Sequence, residues 1–515
     1  MKVDRVPVLI VGAGAGGLAT SALLVKHGVR SLLVEKRREV FIYPKARNLS
    51  FRSLEILRGL GVGDEVHAVA EHVSEMHARP TLNSAEEKPG MDVDAIFAGL
   101  DAVSPEPAAQ YCPQSRSEPI LLDAARGRGA EVRYGTELSS FEPDESGVTA
   151  VVRDRDTGQS QTVRADYLVA ADGVHSPIRN ALGIATSGYG ALPIFVVFIY
   201  FRAPWGRFVT RLGDGDAVQV QNADAQGIFL VIDGDLGMFI TTYFPRKGET
   251  AAQFTPQRCR ELLTKAIGEP IDIEIVEVAS WQPYEQVADQ FQCGRVFLVG
   301  DSAHTMPPFK AGGANVAIQS AHNLAWKLAA VLAGTAGPAL LATYHAERHP
   351  VGRFSARQSL TGPTIPFLQL DDERPRLPAE EECSMFALLV GYRYRSAAVV
   401  ADGPDGGGLE LVEELRGQPG TRVPHVWLRE GVSTLDLVGS GFALLTGNER
   451  WCAAAASASI AAHRICSDEW AAVTGLGPEG ALLVRPDDFV GWRADKLPVE
   501  PEKELQQALS TILCH

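Results

Sequence analysis

The sequence predicts a mixed α/β fold, with parallel strands around a nucleotide-binding turn, an inserted antiparallel sheet and a small α/β unit at the end. Three observations predict it. Residues 6–35 (VPVLIVGAGAGGLATSALLVKHGVRSLLVE) read as a short apolar strand, the turn Gly12-x-Gly14-x-x-Gly17, a helix, a second apolar strand and an acid, Glu35. Two later apolar runs, Tyr167-Leu-Val-Ala-Ala-Asp172 and Val296-Phe-Leu-Val-Gly-Asp301, each carry an aspartate to a strand's carboxyl end, where open α/β sheets bind ligands. Between them, residues 184–285 hold successive β-like runs separated by turn residues.

The first stretch points to a dinucleotide. Gly12 permits the tight turn, Gly14 lets backbone approach a pyrophosphate, and Gly17 lets helix and strand pack closely. The helix N-terminus offers free N–H groups and a partial positive charge, and Glu35 stands where it can accept from a ribose diol. The whole chain is bounded by its composition. At 515 residues it holds two or three domains. A formal charge of −15 with no compact basic cluster argues against nucleic acid or an anionic membrane as partner. The N-terminal apolar run is too short to span a bilayer and reads as a buried strand. Seven scattered cysteines without Cys-x-x-Cys spacing fit reduced thiols in a cytoplasm and offer neither a disulfide framework nor a metal site.

In chain order, Leu54, Ile56, Leu57 and Leu60 suit a helix stopped by Gly61, with Arg47 and Arg52 just before or at its start. By residue type alone each arginine is equally a solvated surface residue. Residues 76–110 read as an irregular excursion, 114–128 as a helix and 131–138 as a strand. Residues 148–153 and 162–165 read as a hairpin around Asp156-Thr-Gly158. Asp172-Gly173 precedes Pro177, suited to a first helical turn. The aromatic runs 193–202, 217–222, 227–233 and 237–244 form an antiparallel sheet with one apolar face, read as a wall of a substrate cavity, and 257–267 is a helix. After Asp301 come His304, read as a structural hydrogen-bonder or an acid/base, and Pro307-Pro308. Gly312-Gly313 then precedes a long helix over 316–332, whose exposed N–H groups would stabilise developing negative charge. The chain continues helical to about 359 and connects through proline-rich 361–378 and an apolar stretch, 385–400, to a glycine-rich linker at 404–408. It ends in strand-like runs at 441–446, 481–484 and 489–492 with a helix over 450–463.

These motifs resemble one family, the single-component FAD-dependent aromatic hydroxylases of the para-hydroxybenzoate hydroxylase fold, and within it the hydroxylases that tailor aromatic polyketides. The residues that carry the resemblance are the Gly12 turn with Glu35, Asp172-Gly173, Gly300-Asp301 with Pro307-Pro308, and 315–328 (NVAIQSAHNLAWKL). The tail stretches Pro424-His-Val-Trp427, Ser433-Thr-Leu-Asp-Leu437 and Leu483-Val-Arg-Pro-Asp487 match that branch's extra thioredoxin-like domain, although the cysteine pair of true thioredoxins is missing. Where the family has a Gly-Gly-Gln-Gly type loop, this chain reads Lys310-Ala-Gly-Gly-Ala314.

The resemblance implies a Rossmann-like FAD-binding domain (1–75, 111–183, 286–360), a substrate domain (76–110, 184–285), a connection (361–404) and a thioredoxin-like domain (405–515). It implies that Gly12, Ala13, Gly14, Ala15, Gly16, Gly17, Glu35 and Lys36 hold the ADP half of FAD. Arg47 and Gln114 would lie along the pyrophosphate and ribityl region, and Leu138 would meet the adenine through its backbone. Asp172 and Gly173 would be shared between FAD and the nicotinamide cofactor. Asp301 would bind the ribityl or pyrophosphate, and Pro308 and Gly312, Gly313, Ala314 and Asn315 would face the flavin's pyrimidine edge. Arg52 is a candidate catalytic or substrate contact. The implied reaction is hydroxylation of an aromatic substrate of secondary metabolism by O2 and NADPH (or NADH) through a flavin C4a-hydroperoxide, in a cytoplasmic monomer or homodimer. Other outcomes on the same scaffold are an epoxidase, a Baeyer–Villiger or antibiotic-inactivating oxygenase, and a non-catalytic flavin-binding protein. An NAD-dependent dehydrogenase would leave Asp172-Gly173 and Asp301 without a role, and the Trp-x-Trp-x-Ile-Pro motif of flavin halogenases is absent.

Overall fold

The computed structural model describes residues 3–40, 48–71, 75–209, 217–308, 310, 312–362, 365, 370, 377, 380–400 and 408–515. An eight-stranded sheet forms around Val3–Val11, which lies parallel to Ser31–Val34 on one side and to Ser160–Ala170 on the other. Glu131–Arg133 and Val296–Leu298 extend the parallel part outward. Val8, Leu9 and Ile10 are consecutive and fully buried, so both faces of this strand are covered. That is why it reads as an unbroken apolar run rather than an alternating one. The helix Ala15–Lys26 packs beside Gln114–Gly127 and Gly312–Leu332, so the three segments expected to meet a dinucleotide share one region.

Thr136–Asp144 and Gly147–Asp154 form a hairpin that pairs antiparallel with the first half of Ser160–Ala170. The single strand expected over 131–138 is therefore two. The chain breaks at Gly135, which takes φ +66, and leaves the parallel sheet for the hairpin.

The seven-stranded second sheet has the order Glu274–Trp281, Phe195–Arg202, Leu236–Tyr243, Gln226–Asp233, Ala217–Gln221, Glu75–Arg79, Lys88–Asp92. Alternation divides its residues. Val197, Ile199 and Phe201 pack with Cys259, Leu263 and Ile267 of the helix Pro256–Ile267. Phe198 and Tyr200 point to the opposite face with Ile228, Leu230 and Met238. Part of 76–110, expected to be irregular, supplies this sheet's edge pair. Lys88-Pro89-Gly90 is poor strand sequence, but at an edge a missing amide and a missing side chain are tolerated. A small sheet of Thr186–Ala191, Tyr284–Ala288 and His304–Thr305 stands where the chain passes between the two large ones.

The tail forms a four-stranded sheet in the order Ala461–Arg464, Ala443–Thr446, Ala481–Val484, Val490–Ala494, the first pair parallel and the others antiparallel. The helix expected over 450–463 ends at Ser457. Ser459 takes φ +56, and 461–464 pairs as a strand, so pairing with Ala443–Thr446 overrides the helical preference of the alanines. This unit is packed onto the nucleotide fold: Trp326 of Gly312–Leu332 and Leu340 share a core with Trp451, Leu483, Leu505 and Ile512. Residues 404–407 of the linker and most of 361–378 lie outside the described residues. No described helix is long and apolar enough to cross a membrane.

Candidate functional site

The glycine turn is closed by backbone. Gly12 takes φ +107, and a Cβ there would stand 2.2 Å from the Ala171 carbonyl oxygen. A Cβ on Gly17 would stand 1.9 Å from the Gly12 oxygen. Around Gly14, by contrast, a Cβ would meet nothing nearer than Glu118 Oε1 at 4.0 Å. Gly14 is the extended N-cap of Ala15–Lys26 and supplies no side-chain cap, so this helix start presents N–H groups into open space. A cradle closed to side chains below and open above fits a pyrophosphate.

Glu35 fastens this turn to the end of Ser31–Val34. Its Oε2 accepts from the Ala13 N–H at 2.7 Å, and its Oε1 accepts from the Arg37 N–H at 2.8 Å and Arg37 Nε at 3.1 Å. Burial pushes the carboxyl up, but these hydrogen bonds outweigh it and hold Glu35 ionised below the usual carboxylate range. Lys36 is exposed, and its carbonyl accepts from Arg155. The Thr136 N–H donates to the Glu35 carbonyl, which brings Leu138, two residues on, to the same corner. Gln114 stands at the start of Gln114–Gly127 and donates to Glu118 beside Gly14. Tyr134, which no sequence motif marks, has a buried hydroxyl here. Burial, then the Glu118 and Glu35 carboxylates, push its pKa up to about 12.

The two aspartate motifs are tied together. Asp172 accepts from Ser176 Oγ at 2.6 Å and from the Ile178 N–H at 3.1 Å. Burial raises its pKa against these bonds. Gly173 takes φ +90. Arg179, absent from the residues expected at the site, donates to the carbonyls of Val174 and Ser302, both at 3.0 Å. Ser302 Oγ donates to the Ala170 carbonyl at 2.7 Å, so the strand ends that carry Asp172 and Asp301 form one ledge. The spacing Asp172-x6-Arg179 is the signal in the sequence that points to Arg179.

The helix Gly312–Leu332 begins four residues earlier than expected, at the glycines themselves. Gly313 and Ala314 are half-exposed and Pro308 is exposed at this helix start. A Cβ on Gly312 would stand 2.4 Å from Met306 Sδ, so the helix start is seated on Met306. The Asn315 side chain serves the fold. Its Oδ1 accepts from the Ser50 N–H, Ser50 Oγ and Ser53 Oγ, and its Nδ2 donates to the Asn48 carbonyl.

Two expectations meet a different outcome, and a third, at Arg47, lies outside the described residues. Arg52 is 2% exposed, and its guanidinium is spent on Glu55 (2.8 Å), Asp488 (2.9 Å) and the Asp487 carbonyl (2.9 Å). It joins the nucleotide fold to the tail and has no fork left for a ring substrate. His304 is fully buried, and neither of its ring nitrogens has a partner among the described residues. Burial, then Arg348, pull its pKa down to about 3, which removes it as an acid/base near neutral pH.

The remaining face of the seven-stranded sheet is apolar and aromatic. Tyr200, Leu230 and Met238 are buried as a floor, with Phe198 and Ile240 half-buried above them. The Trp281 ring stands 6.1 Å from Phe198. An uncapped pyrophosphate cradle, an acid beside it and a second glycine-led helix start are the parts an FAD molecule needs, and this face suits an aromatic ring.

Comparison with known proteins agrees with that geometry. Residues 5–359 match the family described as "FAD binding domain", and residues 416–515 match "Aromatic-ring hydroxylase, C-terminal". The chain is 38% identical to tetracenomycin A2 monooxygenase-dioxygenase of Streptomyces glaucescens, over 100% of this chain and 98% of that protein. It is 37% identical to 4-methyl-5-nitrocatechol 5-monooxygenase of a Burkholderia species, over 99% and 98%. Among solved structures, a ternary complex of aklavinone-11 hydroxylase with FAD and aklavinone superposes with a TM-score of 0.90 at 33% identity, covering 100% of both chains. The chain belongs to the family of single-component FAD-dependent aromatic hydroxylases.

Proposed function

We propose that the chain hydroxylates an electron-rich ring of a polyphenolic, aromatic polyketide-like substrate, with NADPH or NADH as electron donor and O2 as co-substrate. The reading places it in the cytoplasm, in secondary metabolism. The observation that carries it is the aromatic face built by Phe198, Tyr200, Met238 and Ile240 on a sheet separate from the nucleotide cradle. Relatives named for tetracenomycin and aklavinone support the substrate class. The nitrocatechol relative supports a second reading, in which a single small ring is oxidised.

FAD, when bound, supplies the redox and dioxygen chemistry. The chain supplies the rest. Gly12 to Gly17 and the start of Ala15–Lys26 hold the pyrophosphate, Glu35 the ribose, and Gln114 and Asp301 the stretch between. The N–H groups of Gly312 to Asn315 would face the flavin's pyrimidine edge and would stabilise negative charge there at a positive helix end. The apolar sheet face holds the ring flat and keeps water from the reacting atoms.

The test is an absorption spectrum of the purified protein followed by NADPH addition in air. Stoichiometric FAD and NADPH loss accelerated by multi-ring polyphenols support the proposal. Acceleration by single-ring catechols alone selects the second reading, and a colourless chain that FAD does not reconstitute overturns both. Ile240→Trp sharpens the assignment of the face. It is expected to lower kcat/KM for a multi-ring substrate by roughly 10- to 100-fold, the cost of a poor apolar fit, and to leave the flavin spectrum unchanged.

A further inference from the structure

Lys310 stands two residues before the helix Gly312–Leu332, in an unusual backbone conformation. Lys310 takes φ +59, a left-handed conformation natural to glycine and strained for a lysine. Its Nζ donates to Thr361 Oγ1 at 2.8 Å and pairs with Glu382 Oε1 at 2.8 Å, with the side chain largely buried.

Both anchors are themselves tied. Thr361 Oγ1 donates to the Gln358 carbonyl at 2.8 Å, at the end of the helix Ala342–Gln358. The Gln358 side chain donates to the Glu381 carbonyl at 2.9 Å and accepts from the Cys383 N–H at 3.0 Å. The Glu382 carboxylate lies flush on Gly362, where a Cβ would stand 2.3 Å from Glu382 Oε2. The path Lys310–Thr361–Gln358–Cys383–Glu382–Lys310 therefore closes on itself. A solvated surface lysine would show neither the left-handed backbone nor this circuit.

We propose that Lys310 is a positioning residue, a latch that holds the chain at the start of the helix Gly312–Leu332 against the end of Ala342–Gln358 and the 381–383 segment. It thereby fixes where the N–H groups of Gly312 to Asn315 stand. The proposal rests on the reading of that helix start as the flavin-facing edge. The lysine acts through the loop, because its ammonium is committed to Thr361 and Glu382 rather than turned outward.

The experiment reconstitutes full-length apoprotein with FAD and reads two quantities: the FAD dissociation constant from flavin fluorescence, and the share of oxidised NADPH that ends as hydrogen peroxide. Lys310→Met keeps the aliphatic stem and removes the tether. It is expected to weaken FAD binding about three- to tenfold and to raise the peroxide share about twofold, as for loss of a half-buried charged hydrogen bond. Glu382→Gln is expected to reproduce most of that change, Lys310→Arg to stay near wild type, and the exchange Lys310→Glu with Glu382→Lys to recover most of the loss. Wild-type behaviour of Lys310→Met overturns the latch. So does a defect in Lys310→Met that Glu382→Gln does not share, since the ammonium would then act on the flavin directly. Failure of the wild-type chain to bind FAD overturns the reading of the helix edge instead, and is seen before any variant is made.

Discussion

Gly17→Ala is expected to weaken FAD binding sharply. The added methyl would stand 1.9 Å from the Gly12 carbonyl oxygen and 3.3 Å from the Ala171 Cβ. The first neighbour is backbone, so no rotamer change relieves the clash. Either the helix Ala15–Lys26 moves off the sheet or the turn opens, and both displace the N–H groups proposed to hold the pyrophosphate. Overpacking of this kind costs roughly 1–3 kcal/mol, and each 1.4 kcal/mol is about tenfold in affinity. The expected result is a loss of FAD affinity of about 10- to 100-fold, read by fluorescence titration. Gly28→Ala is the control. Gly28 takes φ +77, and an added methyl there would have nothing within 4 Å, so it carries the left-handed penalty without the clash. It should cost about 1 kcal/mol of stability and leave FAD binding intact. Equal FAD affinity in Gly17→Ala and wild type would mean that this cradle does not hold the pyrophosphate.

The difference between these two glycines also marks what the sequence can tell. The turn at Gly12 to Gly17 is legible because its constraints are local: a left-handed residue, a close approach and a helix start within six positions. Asp172 and Asp301 are legible as strand-end acids for the same reason. What joins them is not, because the Arg179-to-Ser302 bond closes 123 residues of separation. Arg52 looks like a ligand contact because its partner Asp488 lies 436 residues away on the tail, and no local pattern announces that a helix-start arginine will be buried by another domain. The strand at 461–464 is hidden by alanines whose helical preference yields to pairing. The edge pair around Lys88 is hidden by a proline and a glycine that only an edge tolerates. The aromatic face is visible as alternation, but which side of it is covered by Pro256–Ile267 requires the packed sheet.

The tail that buries Arg52 is also the seat of the largest expected loss of stability. Glu347 is fully buried on Ala342–Gln358, and five donors converge on its carboxylate: Lys327 (2.7 Å), Asn323 (2.6 Å), Ser396 (2.6 Å) and Arg485 twice (2.6 and 2.9 Å). Lys327 and Arg485 are equally buried, and Arg485 shares its fork with Asp487, whose carbonyl receives Arg52. Burial opposes ionisation of Glu347, but Arg485 and Lys327 prevail and hold its carboxyl far below the usual range. Glu347→Gln leaves the buried Lys327 without its carboxylate and Arg485 with Asp487 alone, and removing one partner from such a pair costs roughly 3–5 kcal/mol. Calorimetry of the variant should therefore show an earlier transition, and with it weaker FAD binding. Asn315, on the helix that carries Lys327, grips Ser50 and Ser53 on either side of Arg52, so loosening the tail loosens the start of Gly312–Leu332 as well.

The pH dependence gives an independent check. A depressed carboxyl contributes its stability above the unfolded pKa of about 4.3 and loses it as pH falls toward the folded value, so the wild-type advantage over Glu347→Gln shrinks by about 1.4 kcal/mol per pH unit below that point. A gap that stays constant from neutral pH to about pH 3 would mean that the ionised carboxylate is not what holds the tail to the helix Gly312–Leu332. A gap under about 1 kcal/mol at neutral pH would mean that the network is neutral to stability, as well-replaced buried ion pairs are. The double replacement Glu347→Gln with Lys327→Met separates these outcomes. It removes the stranded ammonium along with the acid and leaves Arg485 paired with Asp487, and if the loss in Glu347→Gln comes from uncompensated charge, it regains part of that stability without regaining the pH dependence.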